Sequence, residues 1–153
     1  MGVALLTAQR SKDNTSQVGA SSSAVKNKIL SMGYNGMPTG CFDDDMPWER
    51  EGEPLKTKYM YVCHAELNAI LNHASGTGSL KGARIYTTLF PCNECAKALI
   101  QSGISQVIYY EDKYADSDSV IASKRMFDSR WASATRRTST GRGGAGAVSR
   151  ALR

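Results

Sequence analysis

The sequence contains no apolar run approaching the ~18 residues that a membrane-spanning helix needs, which excludes a transmembrane helix. No basic residue precedes the short apolar stretch Val3–Leu6, so no secretory signal is expected at its start. Leu6 stands where a myristoylation pattern needs Ser or Thr. Cysteines number only four. Without a secretion signal they point to a reducing, cytoplasmic setting, where cysteine binds metal or reacts more often than it pairs. No internal repeat is visible. Residues 129–153 have no acidic residue and carry six arginines: Arg130, Arg136, Arg137, Arg142, Arg150 and Arg153. The formal charge of +5 therefore belongs to this tail, and residues 1–128, with 13 basic and 14 acidic side chains, sum to −1. The basic balance gives the folded part no nucleic-acid-binding face, and nucleic acid is expected only as a non-specific partner of the tail.

At roughly 100–200 residues per domain, 153 residues make one domain, and the 41% apolar fraction supplies its core. The domain is expected over 1–128, with 129–153 a disordered Arg/Ser/Gly-rich tail. Apolar spacing in Gly2–Lys12 predicts a helix. Gln17–Ala20 and Lys28–Met32 read as strands joined near Lys26-Asn27, the first weakened by Ser21-Ser22-Ser23, since serine is a poor core residue. A long irregular segment, Gly33 to Lys58, follows. Leu67, Ile70, Leu71 and Ala74, at i, i+3, i+4 and i+7, predict the buried face of a helix starting near Ala65. Arg84–Phe90 is a strand. Pro91 opens a helix with Ala96, Leu99 and Ile100 on one face, Val107–Tyr110 is a strand, and Asp116-Ser117-Asp118 caps a helix to about Phe127. Helices alternating with strands define an α/β domain.

The chemistry sits in Cys63-His64-Ala65-Glu66 and Pro91-Cys92-Asn93-Glu94-Cys95. His64-x-Glu66 with Pro91-Cys92-x-x-Cys95 is the pattern of zinc deaminases that act on nucleobases. Each half falls at an expected helix N-terminus, where the helix dipole favours thiolate. Cys92 and Cys95, three apart, face the same side of the first turn. Two sulfurs and the His64 nitrogen make three protein ligands and leave a fourth tetrahedral position for water, as at a catalytic zinc. Zinc lowers the pKa of water from 15.7 to about 7, and Glu66 is placed to carry the protons. A CxxC pair alone also fits a redox pair or half of a closed structural zinc site, with Cys41 or Cys63 as a further ligand. Those alternatives leave Glu66 and the paired helix starts unexplained.

On five segments the chain resembles the deoxycytidylate (dCMP) deaminase family. They are Ala8-Gln9-Arg10-Ser11-Lys12-Asp13, Gln17–Ala20, Gly33-Tyr34-Asn35-Gly36-Met37-Pro38, Tyr61–Ile70 and Phe90–Lys97. The zinc motif alone specifies only the wider cytidine-deaminase-like superfamily; the Gly33–Pro38 stretch and the extended motif around His64 narrow it. The resemblance implies a three-layer α/β/α domain with a mixed central sheet. It implies hydrolysis of dCMP to dUMP and ammonia for thymidylate synthesis, with one zinc per subunit on His64, Cys92 and Cys95 and Glu66 as proton shuttle. It implies a homohexamer activated by dCTP and inhibited by dTTP, with Gly33, Tyr34, Asn35 and Gly36 in that control. It also places Asn35 on the sugar and the Ala65 N–H against the base. Lys113 and Tyr114, in the loop after the last expected strand, are candidates for the phosphate, their alternative being an exposed loop. Family members continue past Phe127-Asp128 into a turn, a fifth strand and a last helix. The Arg/Ser/Gly-rich tail stands in that place, so this strand and helix are expected to be missing.

Two other functions remain open at this point. One is a deaminase of nucleic acid, acting on tRNA adenosine or polynucleotide cytidine, which the −1 charge of residues 1–128 disfavours. The other is a non-catalytic zinc-binding partner subunit, which has no use for Glu66.

Overall fold

Two glycines decide where the first helices can lie. The computed structural model describes residues 1–23, 26–73, 79–129 and 133–137. In chain order these form helix α1 (Gly2–Ala8), strands β1 (Gly19–Ser23) and β2 (Ile29–Tyr34), helix α2 (Ala65–Leu71), β3 (Arg84–Leu89), α3 (Asn93–Gln101), β4 (Gln106–Glu111), α4 (Asp118–Asp128) and β5 (Ser133–Arg136). A Cβ on Gly19 would stand 2.1 Å from the Ala4 carbonyl oxygen, and one on Gly33 would stand 2.2 Å from that of Ala65. Only glycine lets α1 and α2 rest on the strand backbone this closely. Gly19 pairs with Tyr34 and Gly33 with Ala20, so the two glycines face opposite sides of the sheet. Helix α1 covers one face, α2 the other, and α3 packs against both α2 and α4.

The sheet order is β2-β1-β3-β4-β5. Strand β1 is antiparallel to both neighbours, while β3, β4 and β5 run parallel. Helices α3 and α4 make the crossovers that parallel pairing requires. This is the mixed sheet in an α/β/α arrangement that the family resemblance implies. Ile85, Leu99 and Val107 are fully buried at its centre, each contributing about 1.5–3 kcal/mol by leaving water. Phe90 anchors the end nearest the motifs, edge-on to Tyr109 at 4.8 Å and to Phe127 at 6.1 Å between ring centres.

Three expectations need correction. The serine run does not weaken the first strand: Ser21, Ser22 and Ser23 belong to β1, which lies between β2 and β3 and is buried throughout. Its backbone is paired on both sides, and the Ser22 hydroxyl meets that of Ser31 at 2.6 Å, which in turn donates to the Ala69 carbonyl at 2.6 Å. The buried face of α2 is Ala65, Glu66 and Ala69, whereas Leu71 is 58% exposed. Contact through Gly33 brings the helix too near the sheet for a leucine face to fit. Finally, the fifth strand is present. Ser133–Arg136 pairs with Gln106–Tyr109, and the Arg137 N–H reaches the Tyr109 carbonyl at 2.8 Å. The open edge of β4 offers backbone partners whatever side chains the incoming strand carries. The disordered reading of the tail is thus wrong for 133–137, and the expected loss of the last helix concerns residues outside those described.

Candidate active site

The last residue of each loop leading into α2 and α3 is a cap. His64 is the N-cap of α2 and Cys92 that of α3, whose sulfur accepts from the Cys95 N–H at 3.5 Å. A two-way backbone pair fixes the approach to His64: the Cys63 N–H donates to Gly36 O at 2.9 Å, and the Gly36 N–H to Cys63 O at 3.1 Å. The Asn68 side chain donates to Tyr34 O at 2.8 Å, holding α2 to the end of β2. The two helix starts then meet. His64 Nδ1 lies 3.4 Å from Cys92 Sγ and 3.6 Å from Cys95 Sγ, and all three ligand atoms fall within 4.8 Å of one another. Nitrogen and sulfur bound tetrahedrally to one zinc at 2.0–2.1 and 2.3 Å stand about 3.6 Å apart, so this donor set fits the ion. Among the described residues, neither Cys41 nor Cys63 joins the group, so the closed four-ligand site is not formed. Hydrogen bonding from Cys95, reinforced by His64, brings the Cys92 thiol down to about 4. Cys95 moves upward, through its bond to Cys92 and burial, and His64 moves upward through its bond to Cys92.

Glu66 is the second residue of α2, within its first turn, and is 3% exposed. Burial raises its carboxyl above the usual range, with the His64 charge opposing. The Thr87 hydroxyl on β3 lies 3.3 Å from Glu66 Oε1 and donates at 2.9 Å to Leu89 O. Glu66, His64 and Cys92 line a cleft of about 320 Å³, within the size range of small-molecule sites.

Asn35, just past β2, lines the same cleft. Its Oδ1 accepts the Ala65 N–H at 3.0 Å, its Nδ2 donates to Ser16 O at 3.1 Å, and its own carbonyl accepts from the Ser11 hydroxyl at 2.7 Å. The N–H of Ala65 is therefore committed to Asn35, and Ala65 is fully buried. The Gly33–Gly36 stretch touches α2 through Gly33, Tyr34 and Asn35, pairs with Cys63 through Gly36, and reaches the cleft through Asn35. Of the two phosphate candidates, Tyr114 lines the cleft; Lys113 lines an adjoining cavity and lays its ammonium 5.4 Å from the Tyr114 ring centre.

Sequence reasoning missed the cleft's cations. Lys58 is 4% exposed, and its Nζ donates to both Asp13 carboxylate oxygens at 2.6 Å and lies 2.6 Å from the Thr15 hydroxyl. Asp13 Oδ1 also accepts the Thr15 and Ser16 N–H groups, so this pair braces the loop between α1 and β1 against the cleft. Burial pushes the Asp13 carboxyl upward, but hydrogen bonds from Lys58 and Thr15 outweigh it and hold it below its ordinary value. Arg50 also lines the cleft, its Nε 3.3 Å from the Tyr59 hydroxyl.

A His/Cys/Cys site at two helix starts, with a buried glutamate beside it on a mixed α/β/α domain, defines the zinc-binding class of nucleotide and nucleoside deaminases. The sequence profile of the cytidine and deoxycytidylate deaminase zinc-binding region matches residues 1–111. The chain belongs to the deoxycytidylate deaminase family. It is 57% identical to the deoxycytidylate deaminase of Homo sapiens over 129 residues, covering 84% of this chain and 71% of that one. It is 56% identical to a probable deoxycytidylate deaminase of Drosophila melanogaster over 134 residues, covering 84% of this chain and 65% of that one. The fold matches a dCMP deaminase of the cyanophage S-TIM5, solved with dCMP and dUMP, at a TM-score of 0.67 and 25% identity, over 89% of this chain and 92% of that one. Among the described residues, no helix is long and apolar enough to cross a membrane.

Proposed function

We propose that this chain catalyses the hydrolytic deamination of dCMP to dUMP and ammonia, feeding thymidylate synthesis in the cytoplasm. The observation that carries the reaction class is the buried Glu66 carboxylate in one cleft with His64 and Cys92, which form a ligand group with Cys95. Zinc bound by those three residues supplies the Lewis acidity that makes hydroxide available near neutrality. With the metal bound, Glu66 would take one proton from the attacking water and pass it to N3 of cytosine as C4 gains a hydroxyl, then take that hydroxyl's proton and pass it to the amine as the C4–N4 bond breaks, leaving the C4 carbonyl and ammonia. Helices α2 and α3 hold ligands and base on rigid starts, so the reacting atoms meet without reorganisation. Asn35, anchored at Oδ1 and by one bond from Nδ2, turns its remaining polar capacity toward the sugar.

The wider proposal includes a homohexamer, activation by dCTP and inhibition by dTTP through Gly33, Tyr34, Asn35 and Gly36. What supports it is position: this stretch contacts both α2 and the cleft, so a shift of it moves ligands and substrate pocket together. The edge strand β2 also leaves Met32 exposed, with exposed Leu5 and Leu6 on α1, an apolar surface suited to a second copy. The test is a comparison of steady-state rates on dCMP, CMP, deoxycytidine and a cytosine-containing oligonucleotide, on protein of measured zinc content and sedimentation mass. Preference for dCMP over all three is expected. Turnover of the oligonucleotide, or of none, refutes the reading.

A further inference from the structure

Besides Glu66 and the ligands His64 and Cys92, three charged side chains line the cleft, and two of them cancel. Lys58 is spent on Asp13, with Nζ 2.6 Å from each carboxylate oxygen and both side chains out of water. Arg50 is left over. Among the described residues no carboxylate comes within 4 Å of its guanidinium, and its one hydrogen bond goes to the Tyr59 hydroxyl through Nε. The terminal nitrogens of the fork remain available on a cleft wall that also presents Tyr59 and Tyr114. An arginine whose Nε is pinned and whose terminal nitrogens are free is arranged to grip an anion with two parallel hydrogen bonds.

We infer that Arg50 is the specificity-determining residue that reads the 5′-phosphate of the substrate, in place of Lys113. This inference rests on the dCMP reading and deepens it. Lys113 does not line the cleft, whereas Arg50 shares it with His64, Glu66 and Asn35. The Asp13–Lys58 pair contributes in two ways. It supplies no net charge, so away from the metal ligands Arg50 is the uncompensated cation among the described cleft residues, and the pair braces the loop carrying Ser16, which lines the same cleft. A nucleoside without phosphate leaves the guanidinium facing water, where it loses nothing. Arg50 therefore separates nucleotide from nucleoside without touching the base.

The test uses the zinc-loaded full chain carrying Arg50→Met and Arg50→Lys. Two charge-assisted bonds are each worth tenfold or more, so the ratio of kcat/KM on dCMP to that on deoxycytidine should fall about 100-fold in Arg50→Met, mainly through KM for dCMP. Arg50→Lys keeps the charge but not the fork and should recover part of the ratio. Calorimetry with dUMP and deoxyuridine gives the same answer without turnover: dUMP affinity falls by a similar factor and that of deoxyuridine does not. An unchanged ratio in Arg50→Met, or equal losses on both substrates, overturns the assignment. A parent enzyme with no preference for dCMP over deoxycytidine refutes instead the reading on which it rests.

Discussion

Replacing Asp13 by Asn leaves the Lys58 ammonium buried with no counter-charge. Asparagine keeps an oxygen for the Thr15 and Ser16 N–H groups, so the substitution isolates the charge. Lys58 is 4% exposed and Asp13 1% exposed, and removing one partner of a buried pair costs about 3–5 kcal/mol. At about 2–4 °C per kcal/mol for a chain of this size, Tm should fall by roughly 6–20 °C, measured at fixed protein concentration. The double variant Asp13→Asn/Lys58→Met should recover most of that loss, because an apolar side chain fits the Lys58 stem without a charge to desolvate. The pH dependence has a definite sign. The folded Asp13 pKa lies below its unfolded value, so its contribution is complete above about pH 4 and fades as the pH falls through the folded pKa. Parent and Asp13→Asn should therefore converge in acid. A loss under about 1 kcal/mol at pH 7, or a gap that widens toward pH 3, would refute the claim that this pair is a dry, mutually dependent one.

The other predictions concern the metal, the proton and the sheet edge. Cys92→Ala or Cys95→Ala should lose most of the zinc by metal analysis, while Cys41→Ala, whose side chain is exposed and outside the ligand group, should keep it. Glu66→Gln should bind zinc normally and lower kcat on dCMP by at least ~10²–10⁴-fold; retained turnover would mean that another group carries the protons. Truncation after Asp128 removes β5 and leaves one side of β4 unpaired, so it should lower Tm and increase concentration-dependent association in light scattering, with zinc content unchanged. A truncated chain as stable as the parent would show that the β4–β5 pairing adds nothing.

The elements that were legible in the sequence are those whose signal is local. Ser117 before Asp118, Pro91 before α3 and the β-branched run of β3 are set by capping and periodicity over a few residues, and they lie where expected. The failures share a cause. Leu67, Ile70 and Leu71 form a reasonable apolar stripe, but α2 is positioned by Gly33 on another strand, which admits only Ala65 and Ala69 at the contact. Serines in β1 look unfit for a core until Ser31 on β2 supplies a partner hydroxyl. Ser133–Arg136 has no pattern of its own, and its strand conformation is imposed by β4. In each case the deciding neighbour is distant in the chain.

The same division runs through the site. Metal chelation forces short spacings, because a cap and the residue three further along one helix must reach one ion, and the proposed proton carrier stands only two residues from a ligand. His64, Glu66, Cys92 and Cys95 were therefore readable as a unit before any fold was known. Nothing comparable constrains a residue that only has to offer charge at the rim of a cleft. Lys58 finds Asp13 across 45 positions, and Arg50 lies among acidic neighbours in an irregular segment with no period to reveal which way it faces. Lys113 and Tyr114 are phosphate candidates in sequence only because they fall in the loop after an expected strand, a position that equally suits an exposed loop. In the turn after β4 Tyr114 lines both the cleft and the adjoining cavity, whereas Lys113 lines only the cavity and lays its ammonium against the Tyr114 ring. The metal ligands in this domain are thus written in local spacing, while the phosphate contact proposed for Arg50 depends on the packing of a long loop, apart from the metal site.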